Sequence, residues 1–374
     1  MRVRSWFLVT SLTVVVGLGS VAALSGKLNE GRYKAVSLFS QVLSLVRSSY
    51  VEEVPVEKLE EGALTGLVTT ADPQGTWVPA EHVTDFRAYQ QRVLPPFGLV
   101  LGLQNTYPVV LEVLPGSAAA AAGLKPGELI ERVGEQPVRA RPLWRALTAL
   151  ERAERQGLPR AGDVIARDLS GKRAVSLRPG QGGDPSPQVQ DYGGVVVVRV
   201  PVLTPLFVTR MAAMLPKAEV PVVVDLRATV LGDPEGAVQA AAQLLGGSLQ
   251  LTLAAKGSSP LAVRASRNEL ARQVVACVDH TTARAGEWLA FLLMQRGVPL
   301  VGVETFGDTG LRNPVPVAGG ELWIARYFLI GQEQKPVLGR GLKPTTVVRP
   351  QLEEDPILEK ALELARAQQK AKAA

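Results

Sequence analysis

ACVDHTTARAGEWLAFLLMQRGVPLVGVETFGDTGLR, running from Ala276 to Arg312, reads strand, turn, helix, strand, turn. Val274, Val275, Cys277 and Val278 form a short apolar run that predicts a buried strand. From Thr281-Thr282 onward, Trp288, Phe291, Leu292 and Gln295 recur at helical spacing, so a helix is expected to open at the two threonines. A hydroxyl is thereby placed where a strand meets a helix. The unpaired N–H groups and partial positive charge of a helix start favour a developing anion. On spacing alone such a Thr reads as an N-cap.

The same stretch resembles the signature of the carboxyl-terminal processing peptidases, serine proteases with a Ser/Lys dyad, whose core runs gSASAsE, an apolar helix, then vGekTfGKGxvQ. Laid on without gaps, Thr282 falls on the nucleophilic Ser and Glu287 on the Glu after it, while Thr305-Phe306-Gly307 stands as in the family. Asp308 occupies the position of the general-base Lys, and Arg312 that of the supporting Gln. The family lysine takes the nucleophile's proton because burial lowers its pKa. A carboxylate is shorter and sets negative charge where an oxyanion must form. Nucleophile, base and supporting positions have changed together while the scaffold around them is kept, the pattern of a degenerate protease site.

The 374 residues, 46% of them hydrophobic, suffice for two or three domains with sizeable cores. A formal charge of +6 on dispersed Arg and Lys argues against nucleic acid as a partner. The single cysteine, Cys277, excludes an internal disulfide and reads as a packed thiol in a strand. Ser5 to Leu24 form an apolar run of membrane-spanning length after Arg2 and Arg4, with Ser20-Val21-Ala22 as a small-x-small cleavage pattern. Anchor and cleaved signal are both open, and either sends the body out of the cytoplasm, to the periplasm or cell surface.

Between Gly31 and Tyr50, Val36, Phe39, Leu43 and Val46 predict an amphipathic helix, and a second helix is expected over Val56 to Thr69. The turn at Asp72-Pro73 leading to Trp77 resembles the family's helical platform, which by analogy serves dimerisation. Between Pro96 and Pro179 the chain resembles a PDZ domain: Phe97-Gly98-Leu99-Val100 matches its carboxylate-binding loop, and LPGSAAAAAGLKPGELIERVGEQPV its small-residue helix and turn, with Glu128 for the usual Asp. Such a loop holds a peptide's terminal carboxylate on backbone N–H groups while the peptide adds as a strand. Leu143 to Leu150 is expected as a helix, and Val164 to Leu177 as a hairpin around Ser170-Gly171.

Pro179 to Pro187 reads as a linker. The uninterrupted runs Val195–Val200 and Val220–Val224 mark strands covered on both faces, and the helical patterns between them imply an α/β layer domain. Asp225-Leu226-Arg227 resembles the opening of the family's DLRxNPGG, whose glycine turn supplies an oxyanion-hole N–H. Here Leu231 stands for the first of those glycines and Gly232 follows it. Gly341 to Thr345 resembles the closing G-I-x-P-D motif, and Glu353 to Ala367 is a helix with Asp355 as its cap and Pro356 first.

The resemblance thus implies a multidomain α/β fold: signal or membrane helix (1–26), helical region (27–94), PDZ domain (95–180), ClpP/crotonase-like protease-type α/β domain (181–350), and C-terminal helix and tail (351–374). The function it implies is an extracytoplasmic pseudoprotease without cofactor or metal. It would bind protein C-terminal tails at Phe97 to Val100, touch the membrane through its N-terminal helix, and form a homodimer or pair with an active paralogue. The rival is a working endopeptidase with Thr282 as nucleophile and His280 or Asp308 as base, and a third reading is a scaffold with no ligand.

Overall fold

In the computed structural model the described residues are 34–157, 163–168, 170–179, 182–216, 220–267, 272–331, 335–351 and 354–373. The apolar run 5–24 and its cleavage pattern lie outside them. Among the described residues no helix is long and apolar enough to cross a membrane. The chain divides into two units, Met1–Leu64 and Thr65–Ala374. In the first, helix α1 covers 34–49 and leaves Val36, Leu38, Phe39, Val42 and Leu45 half or more exposed. Leu43 and Val46 of the predicted stripe are partly covered. The division falls within α2 (Val56–Ala71).

The second unit opens with the Asp72-Pro73 turn, β1 (Thr76–Pro79) and α3 (Ala80–Gln90). A 3-10 turn at Pro96–Gly98 leads into a β-rich layer of β2 (Leu99–Gln104), β3 (Tyr107–Val113), α4 (Ala118–Ala121), β4 (Leu129–Val133), β5 (Gln136–Pro137), α5 (Leu143–Gln156), β6 (Asp163–Asp168) and β7 (Gly171–Ser176). Its strands lie in the order β2-β3-β4-β6-β7, with β5 beside β4. The expected hairpin is β6–β7, with Asp163 opposite Ser176. Helix α5 runs two turns beyond the predicted Leu150, because Ala153 continues the buried stripe of Leu143, Leu147 and Leu150, and it ends where Gly157 takes φ 61°.

The remaining elements are β8 (Gln188–Asp191), β9 (Val196–Arg199), β10 (Val202–Leu203), α6 (Pro205–Met214), β11 (Val222–Asp225), β12 (Leu231–Gly232), α7 (Pro234–Leu245), β13 (Gly247–Ala255), β14 (Leu261–Arg267), β15 (Val274–Val278), α8 (Ala285–Gln295), β16 (Leu300–Gly302), β17 (Leu311–Val317), β18 (Gly320–Leu329), β19 (Thr346–Val347) and α9 (Pro356–Ala373). The central sheet runs β19-β16-β15-β11-β9-β8 and is parallel except at β8. Alternation along a strand sends Val222, Val224, Val274, Ala276 and Val278 into the core shared with α7 and α8, and Val223, Val275 and Cys277 into the core under α9. Both faces are therefore covered, which is why these strands carry no polar alternation. An antiparallel sheet, β1-β18-β13-β14 with β17 on β18, brings the Asp72 turn to the strand that follows Asp308. Pro179–Pro187 is not a free linker over its described residues: Asp184 N–H donates to Pro115 O at 2.6 Å, fastening it to the β-rich layer.

Candidate active site

After β15 the chain does not enter a helix at the threonines. Helix α8 begins at Ala285, four residues later than its apolar spacing predicts, because the intervening polar groups are tied to a neighbouring turn. The Asp279 carboxylate accepts from the Thr281 N–H at 2.8 Å and from its hydroxyl at 2.5 Å, and Thr281 Oγ1 accepts from the Ala228 N–H at 2.8 Å. The expected nucleophile, Thr282, is fully buried. Its hydroxyl donates to Leu226 O at 3.0 Å and accepts from the Asp279 N–H at 3.1 Å. The proton is thus held by a backbone carbonyl rather than by a base. His280 is exposed and turned to the Lys125–Glu128 turn, its Nε2 3.4 Å from where a Gly127 Cβ would stand.

The residue at the corner is Arg284, at φ 44° and ψ −109°, a conformation that non-glycine residues adopt under strain. Its N–H donates to Asp308 O and its Nε to Asp308 Oδ2, both at 2.9 Å. Asp308 Oδ1 accepts from Arg312 Nη1 at 2.5 Å, and Arg312 Nε donates to Asp72 Oδ2 at 2.9 Å. Asp72 also accepts from the Ala325 N–H at 2.8 Å. Four alternating charges, Arg284, Asp308, Arg312 and Asp72, therefore run in a line, with Asp308 and Asp72 buried. Burial would raise the Asp308 carboxyl, but Arg312 and Arg284 beside it outweigh that and hold it below the usual carboxylate range. An acid so strengthened is a poor general base.

Glu287 lies fully buried in the first turn of α8. Its Oε1 accepts from the Thr305 hydroxyl and from the Gly307 N–H at 2.8 Å, fixing the Thr305-Phe306-Gly307 segment to the helix. Burial, opposed only in part by these hydrogen bonds, pushes its carboxyl up to about 8.

The turn expected to supply the oxyanion donor, 229–232, is occupied from outside. Glu112 of β3 is 2% exposed, and its Oε2 accepts from the Val230 and Leu231 N–H groups at 3.3 and 3.4 Å. Burial, against the pull of the Leu231 N–H and Arg199, pushes this carboxyl up to about 8 as well. Gly232 serves packing: at φ 140° a Cβ there would stand 2.3 Å from Leu203 O of β10. Val100, Val109 and Leu111 of the β-rich layer form one cluster with Val230, Ala283 and Phe306, so that layer roofs the corner.

Phe97 to Val100 are 0–1% exposed, apart from Gly98, which is also buried. The N–H groups of this expected peptide-binding loop are engaged within the chain: Phe97 N–H donates to Glu154 Oε1 at 2.7 Å, Gly98 N–H to Pro95 O at 3.0 Å, and Leu99 N–H to Pro96 O. Glu154 and Glu112 escape a reading by motif because neither stands at a position the motif names, whereas Arg284 falls on the second Ser of gSASAsE. The available signal for Arg284 was a lone charge between Ala283 and Ala285 that complements Asp308.

No family profile matches the sequence. A protein of Bartonella bacilliformis named carboxy-terminal-processing protease is 21% identical over 348 residues, 87% of this chain and 77% of that one. Carboxy-terminal processing protease CtpB of Bacillus subtilis is 22% identical over 333 residues, 85% and 68% of the two chains. A solved structure described as photosystem II D1 C-terminal processing protease shares the fold, with a TM-score of 0.61 at 18% identity over 88% of this chain and 96% of its own.

Proposed function

We propose that this chain, a member of the carboxyl-terminal processing protease family in sequence and fold, is a non-catalytic one that binds protein C-terminal tails outside the cytoplasm. One observation carries the proposal: buried Asp308 is paired at the strand–helix corner with the Arg284 guanidinium, while the Thr282 hydroxyl is spent on Leu226 O. A guanidinium keeps its proton at any working pH and cannot attack a carbonyl. A carboxylate paired with two guanidiniums is equally unsuited to take a proton from Thr282. The Glu112 carboxyl on the Leu231 N–H adds a second obstacle, since it fills the place where an oxyanion would be held.

Tail binding belongs to the PDZ-like reading of residues 95–180, which the small-residue helix and the edge position of β2 support. Location outside the cytoplasm follows from the apolar run 5–24 behind Arg2 and Arg4, which also supplies the membrane contact. Pairing with a second copy or an active relative would give a non-catalytic member its effect.

The decisive experiment is incubation of the purified protein, and of Thr282→Ala, with an unstructured polypeptide such as casein. Neither is expected to cleave it. Cleavage by wild type that vanishes in Thr282→Ala would establish the rival, a threonine-dependent endopeptidase.

A further inference from the structure

A carboxylate already sits at the mouth of the tail-binding loop, and it comes from the protein itself. Phe97, in the turn before β2, is held at φ 57°, and its N–H meets Glu154, 57 residues away near the end of α5. The other oxygen of the same carboxylate pairs with Arg92 Nη1. One backbone N–H and one guanidinium converge on a single carboxylate, the chemistry a peptide's C-terminus would need.

Resting on the tail-binding reading above, we propose that Glu154 is an internal stand-in for the ligand's terminal carboxylate, and that Arg92 completes the site with the Phe97 N–H. Arg92 does not depend on Glu154 for its position. Its Nη2 also donates to Glu151 at 3.2 Å, one turn back along α5. If Glu154 swings away, the donor pair stays in place and an incoming carboxylate restores the same charge balance. Glu154 is the carboxylate able to leave: its side chain is 12% exposed against 3% for Glu151, and it lies one turn from the αL stop at Gly157. Val93, next to Arg92, is 77% exposed and offers an apolar contact to the tail's last side chain. Gly98 and Leu99 are satisfied by Pro95 O and Pro96 O, so the competition is confined to these two donors. A tail then sees only the fraction of molecules in which Glu154 is out, and its apparent affinity falls by that fraction.

The test is titration calorimetry of the full chain with a ten-residue peptide ending in Leu-Ala-Ala, as free carboxylate and as amide. Wild type, Glu154→Ala, Glu154→Gln and the double variant Arg92→Ala with Glu154→Ala are compared. Glu154→Ala is expected to bind the free peptide at least tenfold more tightly than wild type, with no gain for the amide. Glu154→Gln keeps an acceptor for the Phe97 N–H and so guards against local collapse, and it should gain severalfold in the same sense. The double variant should lose the gain. Affinity for the free peptide that is the same in wild type, Glu154→Ala and Glu154→Gln would overturn the internal-ligand proposal while leaving tail binding standing. An equal gain for the amide would overturn the carboxylate competition. No binding by any of the four would overturn tail binding itself, and this inference with it.

Discussion

Asp308 has no contact with solvent and two guanidiniums on its carboxylate, so its worth is set by what its loss would strand. Asp308→Ala leaves Arg312 buried with only Asp72 to neutralise it, and breaking a buried pair in this way costs about 3–5 kcal/mol. Equilibrium denaturation of Asp308→Ala against wild type should show a loss of that order. A loss below about 1 kcal/mol would mean that water relieves the stranded charge. Glu112 and Glu287 act through pH. Each has an ordinary value of 4.5 and a folded value of about 8. Below about 4.5 both folded and unfolded chains are protonated and neither group affects stability. Between about 4.5 and 8 the unfolded chain ionises while the folded chain resists, so stability falls as pH rises and levels off above 8. Asp308, held below its usual range, acts oppositely and only in more acid solution. Glu112→Gln keeps an oxygen for the Val230 and Leu231 N–H groups but cannot ionise. Its melting temperature should overtake that of wild type as pH goes from 5 to 8.5, with Glu287 left as the remaining slope. Parallel curves would show Glu112 to be ionised in the folded protein. Positions 308 and 312 were legible in sequence because a motif names them, whereas the contact of Arg284 with Asp308 was not, since it depends on a backbone that turns to positive φ at 284.

At the scale of elements, the strands of the central sheet were legible from composition, since Val222 to Val224 and Val274 to Val278 have no polar residue to show to water. The start of α8 was not. Helical spacing from Trp288 onward says nothing about where the first turn closes, and hydrogen bonds to the 226–230 turn, accepted by Thr281 and donated by Thr282 and Ala283, hold those residues out of the helix. Instead α8 meets that turn at a glycine. A Cβ on Gly286 would stand 2.3 Å from Thr229 O and 3.2 Å from Thr282 Cγ2, so helix and turn can approach only without a side chain there. Gly286→Ala should therefore force them apart and destabilise the protein by about 1–3 kcal/mol, despite alanine's better helix propensity. Chemical denaturation decides the sign. Stabilisation would mean that the turn yields freely, and the close packing of corner and turn would lose its importance.

For the whole molecule, the two-faced sheet explains both the resemblance to an α/β layer fold and the burial of the only thiol. The roofing of the corner by Val100, Val109 and Leu111 could not be read from the sequence, because the residues it joins lie more than 100 positions apart and no local pattern records the docking. The lower face is different. Val223, Val275, Cys277 and Val301 look toward α9, whose Ile357, Ala361, Leu362 and Ala365 recur at three- and four-residue steps and are buried. The alternation of the strands and the period of the helix thus predict each other. Asp355 fastens the start of α9: its carboxylate accepts from the Leu358 N–H at 3.1 Å and from both terminal nitrogens of Arg227. Cys277 is fully buried beneath it, and burial raises its thiol far above the ordinary value, so it presents no thiolate to a reagent. In the intact protein Cys277 should stay unlabelled by a disulfide reagent over the time in which the denatured chain reacts completely. Asp355→Ala removes the cap and one of the two carboxylates on Arg227, at about 1 kcal/mol for the cap alone, and should loosen α9 first. Labelling of Cys277 in that variant should therefore speed up about fivefold or more under native conditions, since 1 kcal/mol is close to a factor of five in the open population. If labelling accelerates only as much as global unfolding measured in parallel, α9 does not open on its own, and the lower face of the sheet is part of the same cooperative unit as the corner that holds Asp308.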